Sequence, residues 1–133
     1  MKIAISAAET SGDLLGSKLV ASLKKQDPTL VIEGLAGEKM LDAGCKQLWD
    51  QKLVNVMGFS EVLKKLPSLM RLRKTIIDHF SNAQPDVFIG VDAPDFNFVI
   101  EKKLKDKGIK TVHFISPSVW AWRQSRKKNQ TIH

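Results

Sequence analysis

Apolar and polar positions along the chain alternate between short runs and helical spacings. Lys2–Ala7 is a brief apolar run, and Glu9-Thr10-Ser11-Gly12-Asp13 follows as a polar turn. Leu14, Leu15, Leu19, Val20 and Leu23 then recur at the spacing of one helix face. Thr10, three residues ahead of Asp13, has the form of a capping box with Asp in place of Glu or Gln. Lys24 and Lys25 suit that helix's C-terminal end, and Asp27-Pro28 stops it. Leu30–Ala36 predicts a second strand, and after Gly37 a short helical stretch runs to Ala43-Gly44. The order β–α–β–α predicts a parallel sheet covered by helices.

The second half repeats the theme. Ser60–Leu66 and Ser68–Phe80 read as two helical segments hinged at Pro67. Pro85 opens Asp86–Asp92, a nearly continuous apolar run that fits a strand buried on both faces. Ala93-Pro94 forces a turn, because a residue before proline avoids the helical region. Asp95 can cap a following helix with apolar positions Phe96, Val99, Ile100 and Leu104. Lys102, Lys103, Lys105 and Lys107 place its other face in water, and Gly108 ends it. Thr111–Ile115 predicts one more strand, closed by Ser116-Pro117. The expected fold class is α/β, a doubly wound, mostly parallel Rossmann-like sheet. Ligands of such sheets gather beyond the carboxyl ends of the strands. Three polar clusters fall there: Glu9–Asp13, Asp92–Asn97 and Ser116–Gln124. They are expected to converge on one cleft.

Composition narrows the class. A length of 133 residues suits one domain. Such a chain buries roughly two-thirds of its unfolded surface, enough for a core without staples. With 43% hydrophobic and 26% charged residues, 8 Gly and 5 Pro, collagen-like and wholly disordered readings are excluded. A lone cysteine, Cys45, excludes an internal disulfide and is too little for a thiolate zinc site, so a reducing setting is the default. No apolar run approaches the 18 or so residues of a membrane span. Met1–Ala8 could pass for a weak signal core, but Glu9 and Asp13 interrupt it and a first strand fits better, so export is not expected.

The net charge of +7 is unevenly placed. Residues 1–60 carry seven basic and seven acidic side chains, whereas residues 61–133 carry fourteen against seven. That surplus favours an anionic partner: nucleic acid, a phospholipid surface or a phosphorylated substrate. No helix-turn-helix, RNP or zinc pattern accompanies it, so nucleic acid is not expected.

Each motif carries a chemical and a purely structural reading. Free N–H groups at the Glu9–Asp13 turn can hold a phosphate or a sugar hydroxyl, with Gly12 allowing close approach. The alternative is a capped helix start. Neither G-x-G-x-x-G nor a Walker pattern is present, which argues against ordinary dinucleotide or ATP binding. Asp92, at the end of a buried strand, suits a general base; as a structural residue it would be a turn former. Asp95 reads as an N-cap. Trp120 and Trp122, beside Arg123 and Gln124, can stack on a sugar ring or simply pack in the core. Val62, Leu63, Leu66, Leu69 and Met70, interleaved with Lys64, Lys65, Arg71 and Arg73, can lie on an anionic bilayer or turn their apolar side to the sheet. His113, inside an apolar strand, reads as packed rather than ligating, and no metal constellation is visible.

Several of these segments together resemble the lipid-A-disaccharide synthase family. They are Ala8–Asp13, Val56–Phe59 with Glu61-Val62-Leu63, Pro85–Asn97, Gly108–Thr111 and Ser116-Pro117-Ser118-Val119-Trp120-Ala121-Trp122-Arg123-Gln124. The resemblance runs in order from residue 1 to about residue 124, leaving 125–133 as a divergent or truncated basic tail. It implies the N-terminal, Rossmann-like, acceptor-side half of a GT-B glycosyltransferase. It also implies an inverting transfer of 2,3-diacylglucosamine from UDP to 2,3-diacylglucosamine 1-phosphate, with no cofactor and no metal. The family's general base falls on Asp92. Glu9, Ser11, Gly12, Asp95, Asn97, Ser116, Trp120, Trp122, Arg123 and Gln124 become candidate substrate contacts. The basic apolar segment then gains a peripheral role on the cytoplasmic face of the inner membrane. Family members are much longer, with most of the UDP-binding surface in a C-terminal domain, so this chain alone is expected to have little or no activity. The alternative is a non-catalytic α/β module binding anionic membrane or a phosphorylated ligand.

Overall fold

A computed structural model describes residues 1–56 and 67–115. Its elements in chain order are β1 (Lys2–Ala7), α1 (Thr10–Gln26), β2 (Val31–Ala36), α2 (Glu38–Asp42), β3 (Lys46–Asp50), α3 (Lys52–Val56), α4 (Pro67–Ala83), β4 (Val87–Val91), α5 (Pro94–Asp106) and β5 (Lys110–Phe114). The strands form one sheet in the order β3-β2-β1-β4-β5, and every pairing is parallel. This is the doubly wound α/β arrangement expected from the alternating pattern.

Both faces of the sheet are covered, so its central strands read as almost unbroken apolar runs. Ile3, Ile5, Ala7, Ile32, Ile89 and Val91 pack with Val20 of α1 and Met40 of α2 on one side. Ala4, Leu35 and Phe88 pack with Leu69, Ile76, Phe80, Phe96, Ile100 and Leu104 of α4 and α5 on the other. Phe80, Phe88 and Phe96 are fully buried, each contributing about 1.5–3 kcal/mol relative to exposure.

Four local expectations change. Asp13 does not complete a capping box for α1. It is buried, and its carboxylate accepts from the backbone N–H groups of Lys39 and Met40 at the start of α2, both at 3.0 Å. A Cβ on Gly37 would collide with that carboxylate, so the residue before α2 has to be glycine. Asp95 does not cap α5 either: the N-cap is Ala93, with Pro94 in the first turn. Val99 is exposed, and the polar Asn97 shares the buried face with Phe96, Ile100 and Leu104. His113 is less a plain core residue than a paired one, with Nδ1 2.7 Å from Glu101 Oε2.

Candidate active site

Strand order reverses between β1 and β4, since β2 lies on one side of β1 and β4–β5 on the other. At such a switch point the loops leaving the two neighbouring strands diverge and open a crevice. Ala7 and Val91, the last residues of β1 and β4, are register partners. Glu9 and Asp92 therefore leave the sheet side by side. The closeness shows in their electrostatics. Partial burial pushes the Glu9 carboxyl above its ordinary range, and the charges of Asp92 and then Asp95 push it further.

The β1–α1 side is held by a residue that local patterning does not reveal. Gln51, buried after β3, donates from Nε2 to the carbonyls of Ala7 and Glu9. Gly12 is buried at the start of α1, where a Cβ would stand 3.5 Å from both Ala7 Cβ and the Val91 carbonyl. Those are ordinary contact distances, so α1 begins packed close against the switch point. Ser11 is exposed beside it, and no side chain caps the helix at Glu9.

The β4–α5 side is strained. Asp92 and Ala93 have φ of 47° and 41°, two consecutive non-glycine residues in the left-handed region. Each such residue costs about 1–3 kcal/mol and persists only where its surroundings over-determine it. Here they do. The Asp92 N–H donates to the Phe114 carbonyl at 2.9 Å, tying the turn to the end of β5. The Ala93 carbonyl accepts from the N–H groups of Phe96 and Asn97. Asn97, fully buried, donates from Nδ2 to the carbonyls of Ser6, Val91 and Asp92 at 3.1, 3.2 and 3.0 Å. Its Oδ1 accepts from Ser6 Oγ at 2.7 Å. Asn97 was expected to contact substrate; its burial and filled hydrogen-bonding positions place it behind the turn instead. Asp92 is half-buried and Asp95 exposed at the crevice.

Two of the three predicted clusters thus meet. Ser116, Trp120, Trp122, Arg123 and Gln124 lie outside the described residues, as do Val62, Leu63, Lys64, Lys65 and Leu66 of the membrane segment. β5 ends beside Asp92. Leu69 and Arg73 of that segment make contacts within the domain. Leu69 is 4% exposed and belongs to the core. Arg73 reaches α5, with Nη1 donating to the Asp95 carbonyl at 3.2 Å and its guanidinium 5.9 Å from the Phe96 ring centre. Met70 and Arg71 remain exposed. Among the described residues no helix is long and apolar enough to cross a membrane.

All-parallel order, a reversal between β1 and β4, and carboxylates poised above it define a Rossmann-like α/β domain of the kind that forms the N-terminal half of a GT-B glycosyltransferase. The family model described as lipid-A-disaccharide synthetase matches residues 3–132, and so continues past Gln124. The chain belongs to this family. It is 54% identical over 126 residues to the lipid-A-disaccharide synthase of Pseudoalteromonas translucida, covering 95% of this chain and 33% of that protein. The enzymes of that name from Methylobacillus flagellatus and Glaesserella parasuis are 52% and 54% identical over 95% and 93% of this chain. The chain spans about a third of the length of these relatives.

Proposed function

We propose that this chain is the acceptor-side part of an inverting glycosyltransferase of lipid A synthesis, moving 2,3-diacylglucosamine from UDP to 2,3-diacylglucosamine 1-phosphate. The observation that carries this reading is the convergence of Glu9 and Asp92 at the switch point. Both are carboxylates, which accept hydrogen bonds from sugar hydroxyls and repel phosphate, so the acceptor enters hydroxyl first. Asp92 takes the proton from the attacking hydroxyl as its oxygen bonds to the anomeric carbon. The bond from that carbon to UDP breaks on the opposite face, UDP leaves with the electron pair, and the configuration inverts. Glu9, Ser11 and Asp95 line the acceptor's approach. Most of the UDP-binding surface belongs to the part of the family's length that this chain does not span. Both substrates carry acyl chains, which supports peripheral contact with the cytoplasmic face of the inner membrane through residues near 62–71.

The test uses a full-length relative with aspartate at the position of Asp92. Changing it to alanine should lower kcat by about 10²–10⁴, the usual worth of a general base, with thermal unfolding unchanged. Near-normal turnover sinks the assignment. The purified 133-residue chain should yield no disaccharide from the two substrates, and detectable product would contradict the division of labour.

A further inference from the structure

We propose that Asn97 is a positioning residue that aims Asp92, acting through the strained turn rather than on the substrate. This rests on the reading of Asp92 as the base. Asp92 and Ala93 occupy a backbone region that side-chain-bearing residues rarely adopt, and two in succession need support from their surroundings. The Asn97 amide supplies a large part of that support. Its two N–H bonds serve three carbonyls, one each from the end of β1, the end of β4 and the turn itself. One side chain thus ties the carboxyl ends of both switch-point strands to the peptide that carries Asp92.

The link back through Ser6 fixes the amide's orientation. Ser6 Oγ donates to Oδ1 at 2.7 Å, so the amide nitrogen must face the carbonyls. Both residues are fully buried and touch no solvent. Without the amide the turn keeps its tie to β5 but loses its hold from behind, and the strained angles then relax, swinging the Asp92 carboxylate away from Glu9. Misplacing a reacting group by about 1 Å costs about 10²-fold in rate.

Two measurements separate this from a merely structural role. In this chain, the Glu9 carboxyl is titrated by ¹³C NMR in the native protein, in Asn97→Ala and in Ser6→Ala. Ser6→Ala leaves the amide in place but frees its orientation, and serves if Asn97→Ala does not fold. Glu9 should titrate lower in both variants, toward its ordinary range, because Asp92 no longer stands against it. An unchanged Glu9 titration in a folded variant overturns the proposal. In a full-length relative carrying Asp and Asn at these positions, Asn97→Ala should lower kcat about 10²-fold with both KM values nearly unchanged. In an Asp92→Ala background the same change should cost nothing further. An equal loss in both backgrounds, or unchanged kcat where Asp92→Ala is inactive, overturns the positioning role and leaves the base assignment standing. Turnover that survives Asp92→Ala overturns both.

Discussion

After β1 the chain enters α1 with an N-cap at Glu9 whose φ is −120°, an ordinary extended angle. After β4 it enters α5 through two left-handed residues. The two turns face each other across one crevice, yet they are secured differently. Gln51 holds the first by its carbonyls and leaves its side chains to the crevice. The second is over-determined from behind by Asn97 and from the side by β5. An unstrained platform suits a surface that receives a ligand. A strained, clamped turn suits a single group that has to point one way.

Breaking the clamp should have the largest effect on stability. Asn97→Ala leaves two buried carbonyls and one partly buried carbonyl without their donor and should destabilise the chain by about 2–4 kcal/mol in urea unfolding. Cys45 offers an independent readout, since burial pushes its thiol up to about 12 and keeps it inert until the fold opens. A loss under about 1 kcal/mol would mean that the turn does not depend on the amide. On the β1–α1 side, Asp13→Ala removes the acceptor for two N–H groups at α2 and should cost about 1–2 kcal/mol, the range of a lost cap. A cost matching that of Asn97→Ala would erase the contrast between the turns.

A third substitution tests strain directly. Asp92→Gly removes the side chain that disfavours a φ of 47° and should raise stability by about 1 kcal/mol. Destabilisation would show that the turn is relaxed. The smallest effect belongs to Glu9. Its carboxyl is raised in the folded protein, so its ionised form is disfavoured there. The penalty is absent well below the ordinary glutamate range, grows as pH rises through that range to the raised value, and is full above it. Glu9→Gln should therefore be slightly more stable than the native chain at neutral pH and equal to it in acid. The reverse order would place Glu9 away from Asp92.

Much of this architecture was legible in the residues. β1, α1, β2, β4, α5 and β5 announce themselves because their apolar positions keep a clean period and Gly, Pro or Asp punctuates their ends. β3 and α3 went unread. Lys46–Asp50 is an edge strand of half-buried residues bracketed by charge, paired to β2 across a register shift, and its pattern is too diluted for periodicity to detect. The meeting of Glu9 with Asp92 followed from strand order, which the alternating elements imply. The work of Asn97, Asp13 and Gln51 did not, because their partners lie 91, 27 and 44 residues away at the farthest. Local patterning therefore took Asp13 for a cap of the wrong helix, and gave Asn97 no structural role. The packing of Leu69 and the tie from Arg73 to α5 were not legible for a related reason: an apolar and basic stripe has the same sequence whether it faces lipid or a neighbouring helix.

The central claim is that the clamped turn exists to present one carboxylate as a base. Asp92→Asn tests it most directly, because asparagine keeps the size of the side chain and tolerates the left-handed backbone but cannot take a proton. In a full-length relative at saturating concentrations of both substrates, kcat should fall by about 10²–10⁴ while unfolding is unchanged. A kcat within a few-fold of the native enzyme would contradict the account.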